Sequence, residues 1–108
     1  MSFHAIDRWG ATIRQPSELQ MRELIDSLEI VDREHPDVSL THESGWSLSA
    51  FPSGRLVWED VESDLEPRHM NGVARERVLV LWRALAAGDF GEVERNEWRD
   101  GYGDEPSA

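Results

Sequence analysis

The sequence contains no cysteine and no lysine, only five prolines, and no long apolar run. Without cysteine there is no disulfide, no thiolate metal site and no cysteine nucleophile, and a reducing cytoplasm is the expected location. The longest apolar stretch, Val78 to Trp82, is far too short to span a bilayer. Residues 1–10 hold no basic segment leading into an apolar run, so no signal peptide is expected.

Basic charge is scarce as well. All eleven basic residues are arginine, against twenty-two acidic residues, for a net charge of −11. Such a chain repels nucleic acid and anionic lipid, so neither is an expected partner. It attracts a basic protein, although acidity also serves simply to keep a small domain soluble. Arginine without lysine, beside many Ala and Gly, fits the coding bias of a GC-rich bacterial genome.

Catalytic and cofactor signatures are missing too. The histidines His4, His35, His42 and His69 show no paired ligand spacing, so no zinc or iron site is expected. No glycine-rich phosphate loop or dinucleotide fingerprint is present. Gly45-Trp46-Ser47-Leu48-Ser49 lacks the second glycine of a nucleophile elbow. His42, Glu43 and Ser44 fall consecutively at a turn, where such residues are ordinary. The adjacent carboxylates Glu59 and Asp60 would need a cleft to act as a glycosidase pair. No catalytic residue, cofactor or metal is assigned, and the chain is expected not to be an enzyme.

What is present describes one small domain over residues 1–103, followed by a frayed tail, 104–108. Ala11 and Ile13 alternate with polar residues as a short strand. Ser17 then caps a helix running from Glu18 to about Val31, with Met21, Leu24, Ile25 and Leu28 on one stripe. That helix is expected to stop before His35-Pro36. Three period-2 runs follow, Val38 to His42, Trp46 to Ala50 and Leu56 to Trp58, separated by turns containing Gly45 and Gly54. Asp60 to Pro67 reads as irregular. Asn71 is the expected cap of a second helix whose stripe includes Val78, Leu81, Trp82 and Leu85, stopped by Gly88. Asp89 or Gly91 opens a short third helix reaching Trp98. The expected fold is α+β, a three- to four-stranded antiparallel sheet with two or three helices on one face, in the order βαβββαα.

Two features suggest where a partner binds. Glu59, Asp60, Glu62, Asp64 and Glu66 put five carboxylates within eight residues without one cation. A second acidic group near the end of the chain includes Glu94 and Glu97 beside Trp98. Either can steer the chain toward a basic protein. The candidate partner-binding residues are therefore Glu59, Asp60, Glu62, Asp64, Glu66, Glu94, Glu97 and Trp98. Of the five tryptophans, Trp46, Trp58 and Trp82 are expected in the core. Trp98 is either a lid on that core or an interface anchor.

The hairpin Ser44-Gly45-Trp46-Ser47-Leu48-Ser49 with Ser53-Gly54-Arg55-Leu56-Val57-Trp58-Glu59, and the later Leu81-Trp82-Arg83-Ala84-Leu85-Ala86-Ala87-Gly88-Asp89 with Trp98-Arg99-Asp100-Gly101-Tyr102, resemble small acidic cytoplasmic immunity proteins of bacterial toxin systems. The resemblance concerns overall type and transfers no functional residue. It implies a stoichiometric, antitoxin-like inhibitor, monomeric when free, that occludes the active site or substrate groove of a toxin enzyme domain. An acidic nucleic-acid mimic that blocks a DNA-binding enzyme, or a scaffold subunit, would share the same acidity.

Overall fold

The computed structural model describes residues 2–30, 34 and 36–103. Two elements the sequence marks clearly, both helices, form the roof of the fold. In α1 (Glu18–Asp26) Ser17 accepts from the Gln20 backbone N–H while the Gln20 side chain accepts from Ser17, a reciprocal cap. The helix buries Met21, Leu24 and Ile25, then tightens into a 3-10 turn at Ser27–Glu29. It ends sooner than its apolar stripe suggests because the buried Arg8 donates through Nη1 to the carbonyls of Ser27 (2.7 Å) and Ile30. Val31 and His35, where the sequence places the helix end, lie outside the described residues, as does the tail 104–108.

The second helix, α2 (Arg75–Ala86), starts after Ala74 rather than at Asn71 and closes before Gly88, whose φ of 77° suits a left-handed stop. Asp89 caps α3 (Phe90–Glu94) by accepting from Glu92 N–H. That helix stops well short of Trp98. The Asn96 amide donates to the carbonyls of Glu92 and Val93, and the Trp98 indole donates to Val93 at 2.8 Å, so side chains take the bonds a further turn would have made.

The sheet overturns the expected three- to four-stranded arrangement in the order βαβββαα. Among the described residues it has seven strands: β1 (Phe3–Ile6), β2 (Thr12–Arg14), β3 (Val38–His42), β4 (Trp46–Ala50), β5 (Leu56–Asp60), β6 (Arg68–Met70) and β7 (Arg99–Asp100). Their spatial order is β2-β1-β3-β4-β5-β6-β7, with every neighbouring pair antiparallel. The segment α1 carries the chain over β1, and the rest of the ladder from β3 to β6 is a meander. The three central strands are those the alternation marks. The additional strands β1, β6 and β7 are short and carry little apolar contrast, so backbone pairing with a neighbour recruits them.

One face of the sheet is covered. Ala5, Leu40, Leu48 and Trp58 form a cross-strand row beneath the helices, beside Val38, Ala50 and Leu56. Against them pack Met21, Leu24, Ile25 and Leu28 from below α1 and Val78, Leu81, Trp82 and Leu85 from α2. Trp82 is fully buried and donates its indole N–H to the Leu48 carbonyl at 3.1 Å. Trp58 is 1% exposed. Trp46 is only half-buried, at the rim, where it stacks on Trp58 at 4.5 Å; half-buried Trp98 also stacks on Trp58, at 6.2 Å. Among the described residues no helix is long and apolar enough to cross a membrane.

Candidate functional site

Among the described residues no helix covers the other face of the sheet, and strand register dictates its composition. His4, Thr41, Ser47 and Glu59 lie side by side across β1, β3, β4 and β5. The next row is Ile6, Ser39, Ser49, Val57, His69 and Arg99. Side chains alternate in strands, so the serines and threonine that separate the apolar residues of β3 and β4 all arrive on this surface. Thr41 Oγ1 donates to Ser47 Oγ at 3.0 Å, and Ser47 is 4% exposed. The result is a floor of hydroxyls.

Residues 101–103 lie across one part of this face as a strap. Buried Arg55 donates through Nη1 to the carbonyls of Tyr102 (2.6 Å) and Gly103 (2.9 Å), and its guanidinium sits 4.0 Å over the Phe51 ring. His69 Nδ1 lies 2.9 Å from the Gly101 carbonyl. Gly103, at φ 73°, rests so close to the His69 ring that a Cβ there would come within 2.7 Å of Cδ2. The Tyr102 hydroxyl donates to Glu59 Oε2 at 2.8 Å. This neighbouring carboxylate raises the Tyr102 pKa above its ordinary value, because a phenolate would lose the hydrogen bond and meet a like charge. Val57, only 3% exposed, belongs to the same part of the face.

Beyond the strap the surface opens into a trough of about 450 Å³. Its floor is Ser39, Thr41, Ser47 and Ser49; Glu43, Glu59 and Glu62 stand along its margin, with His4 and Ile6 at the other side. Gly45 lets the β3–β4 turn close against this margin: it holds φ 99°, and a Cβ would meet Asp60 Oδ1 at 2.6 Å. His4 and Glu59 are three strand spacings apart, about 14 Å, which puts them beyond direct proton exchange. Among the described residues no three histidine or carboxylate side chains cluster to hold a metal.

Ion pairs are concentrated on the helix side of the molecule. Arg22–Glu76, Arg75–Glu29 and Arg83–Glu18 pair across α1 and α2, and Arg77 and Arg95 pair with Glu92. Arg14, beside His4, and Arg99, beside His69, occupy the two outer edges of the open face. Glu43, Glu59, Asp60, Glu62, Asp64 and Glu66 have no arginine within ion-pair distance among the described residues.

The structure divides the eight candidate residues. Glu59 and Glu62 border the trough. Asp60 belongs to the opposite face, across from Trp46, where its Oδ1 accepts from Glu62 N–H at 3.0 Å. Asp64 and Glu66 are exposed on the loop after β5, interleaved with exposed Val61 and Leu65. Glu94 is built into the fold: it accepts from the Trp58 indole at 2.7 Å and from both Arg68 guanidinium nitrogens, at 2.8 and 2.5 Å. Those bonds, Arg68 first, hold its carboxyl below the usual glutamate range despite partial burial. Trp98 packs against the core and Glu97 is exposed. Glu43, the hydroxyl floor and the Tyr102 strap were not among the sequence candidates. The Ser/Thr alternation of β3 and β4 signals the floor; nothing local signals a strap, whose partner Arg55 is 47 residues from Tyr102.

Comparison with protein-family models, curated proteins and solved structures finds no match to this chain.

Proposed function

We propose that this chain is a non-catalytic binding protein that acts as an immunity protein, neutralising a bacterial toxin by seating its open sheet face and acidic margin in the toxin's basic substrate groove. The observation that carries the reading is the margin of carboxylates that has no ion-pair partner among the described residues. Arg22, Arg75 and Arg83 pair the helices to one another, while Glu43, Glu59 and Glu62 line one margin of an open trough with no arginine in its lining among the described residues. Crowded like charges without counter-ions mildly destabilise the free protein. A basic groove relieves that repulsion, steers encounter and discriminates against acidic surfaces. The cytoplasm, where a toxin-producing cell needs protection, suits a chain without cysteine.

The test takes the genes flanking this one, expresses any toxin domain they encode and assays it with the protein. The expected result is inhibition of its enzymatic activity at one-to-one stoichiometry, with an association rate that falls steeply as salt rises. Charge reversal at Glu43 and Glu62 should slow association and leave the circular dichroism unchanged. Full toxin activity in the presence of excess protein would refute the reading. Equal inhibition of unrelated DNA-binding enzymes would favour a nucleic-acid mimic instead.

A further inference from the structure

Resting on that docking reading, we infer that the trough is the seat of one arginine side chain of the partner, with Glu59 as its carboxylate ligand and Tyr102 as the residue that positions Glu59. The trough lies on a sheet face that no helix covers among the described residues, holds about 450 Å³ and is floored by hydroxyls, with Ile6 and Val61 also in its lining. An apolar anchor would leave the Glu43, Glu59 and Glu62 carboxylates along the margin without a counter-charge, which costs free energy. A cation suits both the floor and the margin. Arginine suits them better than lysine, because its planar guanidinium presents five N–H donors in a fixed fork, and several acceptors lie on one side of the trough.

Glu59 is prepared for this role. Its Oε2 is held by the Tyr102 hydroxyl at 2.8 Å, and Oε1 receives no hydrogen bond from the described residues. Tyr102 is in turn fixed by its own backbone, through Arg55, and by the close seat of Gly103 on His69. A carboxylate whose orientation is already set loses less side-chain freedom when a guanidinium arrives.

Hexa-arginine and hexa-lysine peptides of equal charge, titrated into the whole chain at low salt by calorimetry, test the inference. Hexa-arginine should bind about tenfold tighter than hexa-lysine, the gain of a forked over a point-charge donor. Glu59→Gln should abolish most of that preference. Tyr102→Phe, which keeps the ring, should weaken hexa-arginine by about threefold, and should add nothing in the Glu59→Gln background. Thermal unfolding of each variant checks that it remains folded. If the peptides bind without preference and Glu59→Gln changes nothing, while reversal of Glu43 and Glu62 weakens both, the arginine seat is wrong and the docking face stands. If neither peptide binds, the docking reading itself falls. Tighter binding by Tyr102→Phe would show that the hydroxyl competes for Glu59, and would overturn its positioning role.

Discussion

Glu94 offers the sharpest separation between a structural and a partner-facing carboxylate. The Trp58 indole that donates to it is 1% exposed, and the bond is 2.7 Å long. Glu94→Ala removes the acceptor that the indole N–H has among the described residues, which costs about 1–3 kcal/mol for an unsatisfied buried donor. It also removes the Arg68 pair, whose side chains are 30% and 39% exposed, so that loss adds at most about 1 kcal/mol. Water entering the vacated space recovers part of the first loss, which places the expected total near 2 kcal/mol. Glu94→Gln keeps a side-chain oxygen for the indole and loses only the charge, about 1 kcal/mol or less. Urea unfolding followed by circular dichroism at neutral pH measures both. The pH dependence provides a second readout. A carboxyl held below its ordinary pKa contributes stability that is complete above the unfolded value and disappears as pH falls through the lowered folded value. Glu94→Gln should therefore flatten the acid side of the stability profile. Equal losses for Ala and Gln, or losses of both below about 0.5 kcal/mol, would refute the reasoning and return Glu94 to the list of free surface charges.

Three more outcomes are expected. Tyr102 is the sole tyrosine, so its ultraviolet tyrosinate band titrates one group; Glu59→Gln should lower that pKa toward its ordinary value, and an unchanged titration would break the Tyr102–Glu59 link. Since the folded pKa is raised, whatever stability this bond contributes is present below the ordinary tyrosine value and is lost as pH rises through the raised one. Gly103→Ala forces a side chain into a left-handed backbone and onto the His69 ring, and should cost about 1–2 kcal/mol in urea unfolding; no loss would mean that the strap is not seated as described. Trp82→Ala should cost about 3–5 kcal/mol and Trp46→Ala clearly less, because only the former is fully enclosed; the reverse order would invert the assignment of the inner face.

The helices and the middle of the sheet were legible because their patterns are self-contained. Met21, Leu24, Ile25 and Leu28 spell one stripe, and Val38, Leu40 and His42 alternate cleanly with Ser39 and Thr41. The missing strands lacked such contrast. In β1 the outward Ile6 blurs the alternation set by Phe3 and Ala5. In β6 the inward-facing residues are Met70 and Arg68, the latter acceptable there because Glu94 meets it from α3. In β7 both residues are charged. The acidic run was read as one surface, but strand alternation sends Glu59 to the open face and Asp60 to the other. Proximity in sequence said nothing of Glu43, which reaches the same trough from a different turn.

The order of the strands also bears on how the chain acquires its shape. From β3 to β6 each strand pairs with the next along the chain, so this stretch closes only short loops and can organise early. The flanks are different. Phe3 must find His42, and Arg68 must find Asp100, and both searches cover much longer loops whose closure entropy is paid before their contacts form. The expected transition state is a meander with unfinished sides. Substitutions at Leu48 or Leu56 should then slow refolding, whereas those at Ala5 or Trp98 should mainly hasten unfolding, and stopped-flow rates with the two patterns exchanged would reverse that order of events.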